Sequence, residues 1–174
     1  MQRYTDVEGR RSSSQGEADN PRAVKWEKLA VLYARIALGA AFLSAVSSRF
    51  GLWDKTLDLK HFASFIQYTA EVNSFLPKVM IPAIAWLATA AETSLGVLLI
   101  AGLWPRWVAL ASAILLAMFG TAMAISFGLQ SPMDYSVFSA SSAALLLALF
   151  AFRQGSGNLS QPLNTKGKHH EIES

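Results

Sequence analysis

The sequence predicts an all-α polytopic membrane protein. Four transmembrane helices would form an antiparallel bundle, with a short amphipathic helix in the loop between helices one and two. Three observations carry this reading. The chain of 174 residues is 52% hydrophobic but only 16% charged, against roughly 25% charged in a soluble domain. The missing charge is localised: segments 29–48, 80–102, 107–127 and 135–152 hold only Arg35 and Glu92 among their Asp, Glu, Lys and Arg positions. Finally, the last three segments are joined by turns too short for anything but antiparallel neighbours. A soluble enzyme of ordinary composition is excluded. The absence of cysteine excludes disulfide frameworks, thiol redox pairs and cysteine-ligated metal or iron–sulfur centres.

Residues 1–25 read as a disordered tail, because the run Arg11-Ser12-Ser13-Ser14-Gln15-Gly16 has no apolar periodicity. The first apolar segment is about as long as a bilayer core is thick, whereas a signal h-region has roughly 7–15 residues. It is therefore expected to remain as an uncleaved first span, although Ala45-Val46-Ser47 resembles a cleavage site. The loop that follows has Phe62, Phe65, Ile66, Val72 and Leu76 at helical spacing, with Lys60, Ser64, Gln67 and Glu71 on other faces. This predicts an amphipathic helix over 59–76, capped by Asp58 and lying on the membrane surface or over the bundle mouth.

Segment 80–102 is long enough to cross with some tilt. It ends in the turn Leu103-Trp104-Pro105-Arg106. Pro132 lies in the next short turn, and Asp134 is expected to cap the fourth helix. The transmembrane domain is thus 26–153, and 154–174 reads as a second disordered tail. Trp26, Trp53, Trp104 and Trp107 fall at span ends, where amphipathic rings favour the interface, while Trp86 falls inside the second span. Ten Lys and Arg residues lie on the side of the termini and four on the other, these being Arg49, Lys55, Lys60 and Lys78. The positive-inside bias places both termini in the cytoplasm, so the net charge of +3 describes orientation and not nucleic-acid binding.

Small-residue stripes mark the packing faces. The third span carries Ala109, Ala113, Ala117, Gly120, Ala124 and Gly128, and the fourth Ala140, Ala144 and Ala148. Two similar hexads, Ala34-Arg35-Ile36-Ala37-Leu38-Gly39 and Ala91-Glu92-Thr93-Ser94-Leu95-Gly96, each place a glycine on the face of the charge, four residues on. An ionised side chain inside a span costs about 2.5–3.5 kcal/mol on insertion scales and so needs a partner or a purpose. Counted from the segment ends, Arg35 and Glu92 differ in depth by about 6 Å, which predicts an ion pair between them. Thr93, Ser94 and Thr121 are candidate hydroxyl partners, and Arg106 stands at the mouth. The pair either fixes helix register alone or forms an intramembrane polar site that binds an anionic or quinone-like ligand or relays protons through Glu92. Neither a nucleophile–base set nor a metal-ligand spacing is present. The histidines, His61 in the loop and His169 and His170 in the tail, leave no axial haem ligand within a span.

These residues resemble the DoxX family of small bacterial four-helix membrane proteins. The likeness runs over Arg35–Gly39, the amphipathic segment, Ala91–Gly102 and Arg106 with Ala109; where such proteins often carry lysine after the first helix, this chain has Arg49. The resemblance implies a multi-pass protein of the bacterial inner membrane acting as the membrane component of a quinone-linked or redox-stress oxidoreductase complex. Redox partner subunits and a bound quinone go with this reading, and a homo-oligomer goes with the transporter alternative; no covalently bound cofactor and no nucleic-acid partner is expected. It does not by itself make the chain an enzyme. A small proton-coupled transporter or permeability protein, and a structural anchor, are the alternatives.

Overall fold

The computed structural model describes residues 21–54 and 59–157, all helical or in turns, with no strand among them. Helix α1 (Pro21–Arg49) is followed by a short 3₁₀ turn, α2 (Leu59–Val72), a second 3₁₀ turn, α3 (Ile81–Ala101), α4 (Pro105–Phe127), the short α5 (Gln130–Asp134) and α6 (Val137–Gly157). Four helices are long and apolar enough to cross a membrane: Val24–Arg49, Lys78–Ala101, Pro105–Phe127 and Val137–Gly155. The protein is an all-α polytopic membrane protein, as expected. Most of the two expected tails lies outside the described residues, although α1 begins at Pro21 and α6 continues to Gly157. Asp58, the expected cap of α2, also lies outside them.

Local chemistry explains the turns. Gly102 ends α3 in the left-handed region (φ 75°), where its N–H and that of Leu103 bond the Leu98 carbonyl. Pro105 then starts α4 at its first position, where a missing N–H costs nothing. Gly128 ends α4 with φ 84° and open space around it, so it terminates a helix and does not extend the packing stripe. Two further boundaries differ from expectation. The amphipathic helix stops at Val72, four residues early, because Asn73 and Ser74 turn the chain toward Pro77. Asp134 ends α5 and does not cap α6, which starts beyond Ser136, itself at φ 53°.

The bundle is built as two close pairs, α1 with α3 and α4 with α6, joined along narrower seams. In the second pair the alanine stripes meet: Ala109, Ala113, Ala144 and Ala148 are buried in one cluster with Val108 and Leu147, and the Ser141 hydroxyl donates to the Ala113 carbonyl at 2.9 Å. Gly120 accommodates the Phe138 ring. In the first pair the two hexad glycines face one another. A Cβ on Gly39 would stand 2.8 Å from the Gly96 carbonyl oxygen, and one on Gly96 would stand 3.1 Å from that of Gly39. The core, with Leu38 and Leu99 added, lies toward the end of the bundle where the chain enters and leaves. We call this the terminal end and the other the loop end.

At the loop end α2 crosses both pairs. Phe62 packs on Phe50 (ring centroids 5.4 Å) and on Trp86 (4.3 Å), which gives the one tryptophan expected inside a span its purpose. On the other side the Ser126 hydroxyl donates to the Val72 carbonyl at 2.6 Å, and Tyr68 stacks on Phe127. Trp26, Trp53, Trp104 and Trp107 are all well exposed, as expected of rings in the membrane interface.

Candidate functional site

Glu92 is the most deeply buried charged residue of the described chain, 1% exposed, and its partner is Arg49. The Arg49 Nη2 donates to both Glu92 carboxylate oxygens at 2.7 and 2.8 Å, and its Nη1 donates to the Thr89 hydroxyl at 3.0 Å. The Thr89 hydroxyl in turn donates a hydrogen bond to the Ala85 carbonyl at 2.8 Å. The Phe65 ring covers the guanidinium, with its centroid 3.8 Å from Cζ. Four elements thus meet at one cation: α1 supplies it, α3 supplies the carboxylate and hydroxyl, α2 the aromatic cover, and α4 the wall behind.

The expected Arg35–Glu92 pair does not form, and the reason is geometric. The helices are antiparallel and cross where Gly39 faces Gly96. Each charge stands four residues N-terminal to its glycine, so the two lie on opposite sides of the crossing, about 12 Å apart along the axis. Side chains lean toward their own helix N-terminus, so Arg35 and Glu92 diverge. Arg49 starts about 9 Å beyond Glu92 toward the loop end, but there the same lean brings the two together. Arg35 instead donates from Nε to the Leu99 carbonyl at 3.0 Å and lies against Gly102, capping the last turn of α3. This cation neutralises the negative end of a helix dipole.

The other expected site residues stand apart. Arg106 is exposed at the terminal end between Trp107 and Phe152, 5.8 and 5.9 Å from the ring centroids. Thr93 and Thr121 spend their hydroxyls on their own helices, bonding the carbonyls of Thr89 and Ala117. Sequence reasoning missed Thr89 and counted Arg49 as a loop charge. The available signal was the antiparallel glycine crossing, which rules out Arg35 and leaves Arg49 within reach.

A cleft of about 560 Å³ opens beside the pair, between the two helix pairs. Arg49 and Glu92 form its polar wall, Phe65 and Tyr68 its roof, and the exposed Ala41 and Ala45 of α1 and Tyr135 its rim. A second space of about 200 Å³ lies under α2 against α4, and the two adjoin at Arg49, Phe65, Tyr68, Phe119 and Met123. Burial pushes the Tyr68 phenol above its ordinary 10.0, with Tyr135 and Glu71 adding to the rise. Among the described residues no cluster of His, Asp or Glu is placed to hold a metal ion.

The fold and site define a small four-span membrane protein with a buried ion pair beside a cleft between helices. Residues 27–136 match the profile of the family described as methylamine utilisation protein MauE. The chain belongs to that family. This match overturns the resemblance to DoxX: both are small multi-pass membrane families, and the motifs behind the resemblance are short and built mainly of residues common in membrane bundles. No curated protein and no solved structure matches the chain.

Proposed function

We propose that this protein is a membrane component serving a redox system of amine utilisation, and that it works through partners and not through a redox centre of its own side chains. The supporting observation is the reach of the family match. Residues 27–136 take in α2, α3 and α4 whole and most of α1, so the name methylamine utilisation attaches to the part of the chain that builds Arg49, Thr89, Glu92 and all of the cleft but its α6 edge at Val137 and Ala140. A chain without cysteine has no thiol to exchange, which assigns electron transfer to a partner or to a bound organic molecule. The excess of ten basic residues over four supports an orientation in the cytoplasmic membrane with both termini inside.

The test is a deletion in the source organism, grown on methylamine as sole nitrogen source. Loss of growth and of amine-oxidising activity, restored by the wild-type chain but not by Glu92→Gln, is the expected result. Undiminished growth and activity without the gene would overturn the proposal. Mild-detergent purification with mass spectrometry would identify the partner subunits.

A further inference from the structure

We infer that the cleft between the helix pairs binds the head of a prenylated quinone, entering from the bilayer between α1 and α6. The inference deepens the redox role proposed above and rests on it for its biological sense, though not for its geometry.

Four features select the ligand class. The first is charge. The cleft's cation, Arg49, is already matched by Glu92 through both carboxylate oxygens, so the polar wall is neutral as a whole. A phospholipid phosphate or a fatty-acid carboxylate would bring an unmatched negative charge next to Glu92, which is unfavourable in a medium of low dielectric. An uncharged head suits the site.

The second is hydrogen bonding. A guanidinium has five N–H donors, and the contacts to Glu92 and Thr89 take three. Arg49 lines the cleft and retains 11% of its side-chain exposure. Its remaining donors call for an acceptor, and a quinone carbonyl supplies one without charge. The third is shape. Phe65, Phe119 and Tyr135 contribute aromatic walls against which a flat ring stacks, and about 560 Å³ falls within the range of roughly 300–1,000 Å³ of small-molecule sites.

The fourth is access. Of the six α1 residues that line the cleft, Ala41, Ala45 and Ser48 are small and exposed, while Leu38 and Phe42 lie buried. The cleft therefore opens sideways along a lipid-facing seam and not through an aqueous mouth, which is roofed by Phe65 and Tyr68 of α2. A molecule that dissolves in the hydrocarbon can enter with its tail left in the lipid. The site needs no movement of the Arg49–Glu92 pair, which serves as a fixed donor wall.

The experiment uses the full-length protein purified in mild detergent, a decyl-tailed benzoquinone as probe, and native mass spectrometry, which separates quinone from phospholipid adducts by mass. Wild type and Ala90→Phe, whose change lies on an exposed face outside the cleft, are expected to carry one quinone each. Ala45→Phe, which fills the cleft, is expected to carry none while keeping the wild-type thermal midpoint. Arg49→Lys is expected to bind roughly tenfold more weakly, the loss expected for one charge-assisted hydrogen bond. Should Ala45→Phe not fold, Ala41→Val fills the same wall more gently and is read in the same way, as a loss of the adduct. Equal binding by wild type and the filled variant, loss in both Ala45→Phe and Ala90→Phe, or a phospholipid held in place of the quinone would each overturn the inference. Growth on methylamine without the gene, with the quinone still bound in vitro, would sink only the functional proposal; the converse would sink only this one.

Discussion

Replacing Glu92 with glutamine removes the negative half of the pair and leaves the Arg49 guanidinium in place. The carboxylate is 1% exposed and the guanidinium 11%, so water compensates neither. One of the two Nη2 contacts at 2.7 and 2.8 Å can be kept by the amide oxygen, but the charge cannot. Breaking a buried pair from one side costs about 3–5 kcal/mol, whereas exchanging both partners for apolar groups of similar volume is often close to neutral. Glu92→Gln and Arg49→Met should each lower stability by about that amount, while Arg49→Met with Glu92→Leu should lose far less than the sum. Thermal unfolding in mild detergent, read by loss of the monodisperse species, gives all four corners of the cycle. The same cycle on Arg35 and Glu92 should be additive within about 0.3–0.5 kcal/mol, since the two share no partner. Additivity at 49 and 92, or strong coupling at 35 and 92, would refute the crossing geometry on which the assignment rests.

Four other outcomes follow from the same contacts. Gly39→Ala should cost about 1–3 kcal/mol, because the added carbon meets the Gly96 carbonyl at 2.8 Å and backbone cannot yield as a side-chain tip does; thermal unfolding checks it. Thr89→Val removes one hydrogen bond to Arg49 but leaves the pair, and should cost about 1.5–3 kcal/mol, less than Glu92→Gln. Tyr68 ionises above its ordinary 10.0, so folded protein holds this proton more tightly than unfolded protein does; stability should be intact below pH 10 and fall as pH rises through the folded value, and Tyr68→Phe should lessen that fall in alkaline unfolding curves. For orientation, a cysteine at Ser64 should react with a membrane-impermeant thiol reagent in intact cells and one at Ser156 should not; the reverse pattern would invert the topology.

The spans were legible because a bilayer imposes a length and forbids charge, and both requirements are written in residue order. Helix α2 was legible for a related reason: Phe62, Phe65 and Val72 keep a helical period that one buried face requires. The alanine stripes of α4 and α6 likewise announced their contact. The partner of Glu92 was not legible from depth counting, because apolar segment ends do not fix how two helices slide past one another. Helix α1 begins eight residues before Leu29, at Pro21, and its register is set by the Gly39–Gly96 crossing. Arg49 was counted with the loop because it is the last residue of its helix, yet its long side chain returns into the bundle. Position along the chain located its Cα correctly and its charge wrongly.

The pair also bears on how the chain enters the membrane. Arg49 and Glu92 are 43 positions apart, so during synthesis the first helix is complete well before the carboxylate emerges from the ribosome. Helix α3 arriving alone would bring an unmatched charge into lipid, at about 2.5–3.5 kcal/mol. With α1 already lodged, the incoming carboxylate finds a cation waiting at its own depth, and the glycine faces let the two backbones close at once. The first helix thus acts as a template for the second to be inserted, and a chain lacking Arg49 would be expected to insert α3 less efficiently and to accumulate in smaller amount.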